Sequence, residues 1–121
     1  VRTIVAGSRG ITQESVVRAA LHEAFLFEAI VPTAIVSGRA RGVDLLGEAI
    51  AKKAGVSVVG FPAKWKENGQ INPRAGFVRN VQMALYADAL VAVWDGTSPG
   101  TAHMIRVAQR MGLKVYVKAP R

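Results

Sequence analysis

An α/β fold, with a five-stranded parallel sheet covered by helices on both faces, is the class this sequence predicts. Three observations carry the expectation. Short apolar runs alternate with helix-like stretches along the 121 residues, as consecutive βα units do. One of those runs, Ala89–Trp94, is almost wholly apolar, as befits a strand buried on both faces. And three runs end in glycine-containing loops just before a helical stretch. The loops read Gly7-Ser8-Arg9-Gly10, Ser37-Gly38-Arg39-Ala40-Arg41-Gly42-Val43-Asp44 and Asp95-Gly96-Thr97-Ser98-Pro99-Gly100-Thr101. In an open α/β sheet, such loops gather along the carboxyl edge, where ligands bind.

The elements follow in order. Thr3–Ala6 is a buried strand closed by Gly7. From Thr12 to Phe27, Val16, Val17, Ala20, Leu21, Ala24 and Phe25 are spaced along one helical face. Thr12 is the candidate N-cap, with Ser15 rather than Glu three residues on, so the capping box is incomplete. Ala34–Ser37 is the second strand, and residues 43–54 form a helix stopped by Gly55. Val56–Phe61 is a third strand, rich in β-branched residues and ended by Pro62. Residues 64–73 lack periodicity and contain Gly69, Asn72 and Pro73, which predicts a loop. A helix over 75–86, the strand 89–94 expected at the sheet centre, a helix over 100–111 capped by Gly112 and a strand over 113–117 complete the chain. The expected strand order is 3-2-1-4-5 within a single domain spanning residues 1–121. No internal repeat, linker or low-complexity segment interrupts it.

Composition narrows the function classes. Half of the residues are apolar and the mean hydropathy is +0.24, which excludes wholesale disorder. No apolar stretch approaches the ~20 residues that cross a bilayer, so no membrane role is expected. The run Ile4–Ala6 meets glycine and charge at once and does not read as a signal peptide. Cysteine is absent, which suits the cytoplasm. With only His22 and His103, far apart in sequence, a structural zinc site is not expected. Sixteen Lys and Arg against eight Asp and Glu give a net charge of +8, which suggests a polyanionic partner. Placement sharpens this, since Arg9, Arg39, Arg41, Lys64, Lys66, Arg74 and Arg79 fall in or just after strand-end loops. Lys52, Lys53, Arg106, Arg110 and Lys114 fall on helix faces or ends, where solvation and the helix dipole account for them.

The loops have a chemistry of their own. Glycine lets backbone approach a ligand, helix N-termini favour anions, and arginine grips phosphate oxygens with a planar fork. A nucleotide or nucleic-acid phosphate is thus the expected ligand. Gly7, Ser8 and Arg9 occupy the first loop; Ser37, Gly38, Arg39, Arg41, Gly42 and Asp44 the second. Gly96, Thr97, Ser98, Gly100 and Thr101 supply N–H groups and hydroxyls in the third. Asp44, in a first helical turn, serves either the dipole or a ligand. Asp95 could hold a ribose hydroxyl, a Mg²⁺-bound water or its own turn, and nothing in the pattern calls for the ion. No cofactor is required. Trp65 could stack on a base or pack as a rim aromatic. His103 is a weaker candidate acid or base, and Met104 and Met111 read as core.

Taken in order, the motifs resemble the SLOG superfamily, named for the DNA-processing protein DprA and the LOG-type phosphoribohydrolases. They are most similar to its small, single-domain YspA/YpsA-related group, common in phages and mobile elements. The resemblance rests on Val5-Ala6-Gly7-Ser8-Arg9, residues 36–44, Phe61-Pro62-Ala63-Lys64-Trp65, Ala75-Gly76 with Arg79-Asn80 and Met83, residues 87–92, and Trp94-Asp95-Gly96 with Ser98 and Gly100-Thr101. It runs over nearly the whole chain and implies a Rossmann-like fold with a nucleotide-type ligand, in the host cytoplasm if phage-encoded. LOG enzymes cleave a nucleoside monophosphate at its N-glycosidic bond with an arginine and a glutamate. Arg79, beside Asn80, matches that arginine, and Gly100-Thr101 match the Gly-Thr of the LOG loop, but the glutamate position falls on Met104. A thioether can neither move a proton nor stabilise an oxocarbenium charge. Catalysis by Arg79 would then need another carboxylate, Asp44 or Asp95. Arg79 and the loop Gly96–Thr101 are expected to form one phosphate clamp, with the unliganded fold indifferent to the arginine.

The implied function is a nucleotide-binding domain that senses or processes a nucleoside phosphate or ADP-ribose-like ligand. The alternative is a DprA-like module for single-stranded DNA, motivated by the charge and by the loop 37–44. Against it, stacking aromatics are few. Phe25, Leu26, Phe27 and Ile30 spread wider than one helix face needs, so a homo-oligomer is expected.

Overall fold

A computed structural model describes residues 1–120. Chain order is β1 (Arg2–Gly7), α1 (Glu14–Glu28), β2 (Ala34–Ser37), α2 (Val43–Lys53), β3 (Ser57–Gly60), β4 (Lys66–Glu67), β5 (Gln70–Ile71), α3 (Ala75–Tyr86), β6 (Ala89–Val93), α4 (Pro99–Arg110) and β7 (Lys114–Lys118). The main sheet is five-stranded and entirely parallel, in the order β3-β2-β1-β6-β7. Setting the small β4–β5 pair aside, this is the 3-2-1-4-5 order expected from the sequence. The order reverses between β1 and β6, whose carboxyl ends flank the crevice of such a sheet.

Register and burial explain why these residues take these places. Ile4 pairs with Val36 on one side and Leu90 on the other. All three are at most 3% exposed. Successive side chains on each strand feed opposite faces. Val5, Val91 and Val93 join α1 and α2 in one core, with Val17, Ala20 and Val43. Ile4, Leu90 and Ala92 join α3 and α4 in the other, with Met83, Met104 and Ala108. Every residue of β6 is buried, as its composition requires, but β1 and not β6 is the central strand. Both are covered on both faces, and an apolar run does not by itself distinguish the middle strand from its neighbour.

Three local expectations change. Thr12 is not the cap of α1: Gln13 holds that place and makes no side-chain capping bond. Glu14 then begins the helix, where a carboxylate meets the dipole and pairs with Arg18 and Lys53. Residues 64–73 are not a plain loop but carry the antiparallel hairpin β4–β5. Its turn is Asn68-Gly69, both at positive φ (55° and 78°), the conformation that asparagine and glycine accept in a two-residue hairpin. With only two residues in each strand, no period-2 pattern could form in the sequence. Lastly, Ile30 is core, only 1% exposed, and narrows the apolar spread on α1 to Phe25, Leu26 and Phe27. Phe27 stacks on Tyr116 with centroids 6.2 Å apart. No described helix is long and apolar enough to cross a membrane.

Candidate functional site

A cavity of about 490 Å³ opens over the carboxyl ends of β1 and β6. The first loop lines it with Gly7, Ser8, Arg9 and Gly10, and the start of α4 with Ser98, Pro99, Gly100 and Thr101. Asp44 reaches it from α2, and Arg79 and Asn80 from α3. Trp65, Pro73, Gly76 and Phe77 form a further wall, and Met104 lies in the lining at 1% exposure.

The first and third loops are tied together by hydroxyls. The Ser8 amide donates to the Val93 carbonyl at 3.1 Å, and the Ser8 hydroxyl accepts the Asp95 amide at 3.1 Å. Ser98 Oγ lies 3.2 Å from Ser8 Oγ and 2.9 Å from Asp95 Oδ2. Asp95 Oδ1 accepts the amides of Thr97 at 2.9 Å and Ser98 at 2.8 Å. These bonds hold its carboxyl far below the ordinary range, so Asp95 stays ionised and is a poor proton carrier. It builds the turn that aims the α4 N-terminus. Pro99 takes the first helical position, leaving the first-turn N–H groups of Gly100 and Thr101 to face an anion.

Gly42 brings the second loop against the first. Its φ of 82° and ψ of −130° suit glycine alone, and a β-carbon there would lie 2.6 Å from the Ser8 carbonyl oxygen. Beneath it, Asp44 is 4% exposed and accepts the Ala40 amide at 3.3 Å. Burial pushes its carboxyl up to about 6, against the pull of the Ala40 amide and Arg79. Among the described residues Asp44 is the one carboxylate in the cavity lining.

Arg79 spans the site. Its Nη1 donates to the Gly38 carbonyl, and its Nε donates to Asn80 Oδ1 at 3.2 Å. Asn80 Nδ2 in turn donates to the Gly100 carbonyl at 3.1 Å and faces His103 Nδ1 at 3.1 Å. Burial lowers the Arg79 pKa while Asp44 opposes the change. Contrary to the expectation from sequence, the arginine therefore holds the unliganded fold as well as facing the cavity.

The remaining sequence candidates lie outside the cavity lining. Ser37 is buried and donates to Glu48 at 2.6 Å. Gly38 sits under the Arg79 guanidinium, whose nitrogen a β-carbon would approach at 2.5 Å. Arg39, at a φ of 61°, turns toward the buried Glu48 (3.7 Å). Arg41 is exposed at the loop surface. Gly42, Asp95, Gly96 and Thr97 shape the loops without lining the space. His103 stacks on Phe77 with centroids 4.3 Å apart, and burial and Arg106 lower its pKa, which favours the neutral ring. Phe77 escaped the sequence reading, while Gly76 and Pro73 entered it only as a motif residue and a loop marker; a glycine beside an aromatic at a helix start was their one signal as lining.

Among the described residues no three His, Asp or Glu side chains converge as a metal site would require. The family model described as "YspA, cpYpsA-related SLOG family" matches residues 1–67, which hold the first two loops, Trp65 and β4. The motifs of α3 and α4 lie beyond the matched segment. No curated protein and no solved structure matches the chain.

Proposed function

The chain belongs to the YspA, cpYpsA-related SLOG family, and from that premise we propose that it binds a nucleoside phosphate at the carboxyl edge of its sheet. The observation that carries this reading is the convergence of Arg9, Arg79 and the open first turn of α4 on one cavity. Two guanidinium groups and a helix N-terminus form a strong anion receptor. The cavity, at about 490 Å³, also has room for a base and a ribose. Processing of the ligand, if the protein performs it, falls to Asp44, since Met104 offers no proton and Asp95 is held in its turn. An ADP-ribose-like molecule presents the same phosphate and base. Single-stranded DNA is the weaker reading: the aromatics Trp65 and Phe77 share one pocket rather than tracking a groove.

Melting-temperature shifts across a panel of nucleoside phosphates test the reading. A ligand at ~100 times its dissociation constant stabilises the fold by about 2.7 kcal/mol. For a domain of this size that is a rise of roughly 10 °C. Arg9 is exposed and lines the cavity, so Arg9→Ala leaves the free protein's melting unchanged. The substitution weakens binding by about 1.5–3 kcal/mol, as for a hydrogen bond to a charged group. A panel without any shift, or an Arg9→Ala variant that binds as tightly as the parent, would refute the proposal.

A further inference from the structure

The lining of the cavity is of two kinds. Arg9, Gly100 and Thr101 give it an anion-binding part, whereas Trp65, Pro73, Gly76 and Phe77 give it an apolar wall. Trp65 and Phe77 remain 44% and 46% exposed, a large aromatic surface turned to an open space. Neither is placed by chance. The indole of Trp65 lies against the start of α3, where a β-carbon on Gly76 would stand 3.2 Å from the ring. Any side chain there would press the indole back by a few tenths of an ångström or more. The Phe77 ring is propped by its stack on His103, inclined by 29°, and His103 is held in turn by Asn80.

The segment that carries Trp65 is also distinctive. Strands β4 and β5 pair with each other and stand apart from the main sheet. Lys64, Lys66 and Arg74 are exposed and bring positive charge to this arm. Between the arm and α3 lies a second cleft of about 180 Å³, lined by Lys64, Asn72, Val78 and Arg79 among others.

We propose that Trp65 and Phe77 form a receptor for a flat heteroaromatic base, with the β4–β5 hairpin, closed by the Asn72 amide donating to the Trp65 carbonyl at 2.7 Å, holding the indole in place. The inference rests on the nucleoside-phosphate reading and narrows it. The ligand class is a nucleotide with its base intact, selected over a bare sugar phosphate by stacking. Base–aromatic stacking strengthens binding by about tenfold or more per base.

The test is calorimetric titration of the whole chain with the four common nucleoside 5′-monophosphates and with ribose 5-phosphate. At least one monophosphate is expected to bind tenfold or more tightly than ribose 5-phosphate, and to quench Trp65 emission relative to a Trp65→Phe control. Trp65→Ala reduces that nucleotide to the affinity of ribose 5-phosphate and leaves ribose 5-phosphate unchanged, while Trp65→Phe restores most of the preference. Gly76→Val, at an ordinary helical position, keeps the melting temperature and has the same effect by pushing the indole away. Ribose 5-phosphate binding as tightly as all four nucleotides, or a preference that survives Trp65→Ala, overturns the base receptor and leaves the phosphate site standing. Absence of binding by all five compounds overturns the nucleoside-phosphate reading itself, and this inference with it.

Discussion

Gly42→Ala is expected to lower the melting temperature by roughly 10 °C and to remove nucleotide binding with it. The backbone there has a φ of 82° and a ψ of −130°, a combination that costs an L-residue about 1–3 kcal/mol. Space is short as well. The new β-carbon would lie 2.6 Å from the Ser8 carbonyl oxygen and 2.7 Å from that of Arg9, backbone atoms that cannot swing aside. Overpacking of this kind adds about 1–3 kcal/mol. At roughly 4 °C per kcal/mol for a chain of this length, the lower end of the sum, about 2–3 kcal/mol, gives the stated shift, with loop relaxation relieving the rest. Relief would come from moving the first loop away from the second, which displaces Arg9 and Gly10 from the cavity. Circular-dichroism melting checks the prediction, and an alanine variant that melts with the parent would show that the two loops do not meet this way.

Asp44→Asn is expected to stabilise the protein by about 2–3 kcal/mol at pH 8 and to change it little at pH 4. The carboxyl titrates at about 6 in the fold against 3.8 in the ordinary case, because burial disfavours its charge. Its contribution to stability is thus complete below pH 3.8, falls as pH rises, and is lost above about 6. An amide keeps the acceptor for the Ala40 amide and has no charge to bury. Denaturant unfolding at the two pH values measures the difference. A variant less stable than the parent at pH 8 would mean that the pairing with Arg79 outweighs burial. The same substitution separates binding from chemistry: it spares the phosphate contacts and removes any hydrolysis that depends on Asp44.

The sheet was legible because burial on both faces writes itself into composition. Ala34–Ser37 and Ala75–Tyr86 have the same limits in sequence and structure, since a glycine-rich loop and a proline punctuate them. Loop chemistry also pointed to the edge at which the cavity opens, through Gly7 to Arg9 and Ser98 to Thr101. What a one-dimensional reading could not supply was the direction of long side chains. Arg39 and Arg79 look alike as loop-proximal cations, yet one turns to the buried Glu48 and the other to Gly38 and the cavity. Nor could it separate the two carboxylates. Asp95 follows a strand and Asp44 opens a helix, and each could have served a ligand or its own backbone; only the fold makes one a turn-builder and the other a buried acid. The aromatic wall was half visible, in Trp65. Phe77 was hidden because an aromatic on an amphipathic helix reads as core until its neighbours are known.

The central claim is that a nucleoside phosphate sits over the carboxyl ends of β1 and β6, and amide chemical shifts of the ¹⁵N-labelled protein test it most directly. The titrant is the nucleoside 5′-monophosphate that raises the melting temperature most. The largest changes are expected at Ser8, Arg9 and Gly10 and at Gly100 and Thr101, which line the site. Largest changes at Thr33, Asp88 and Leu113, on the opposite edge where β2, β6 and β7 begin, would contradict the account.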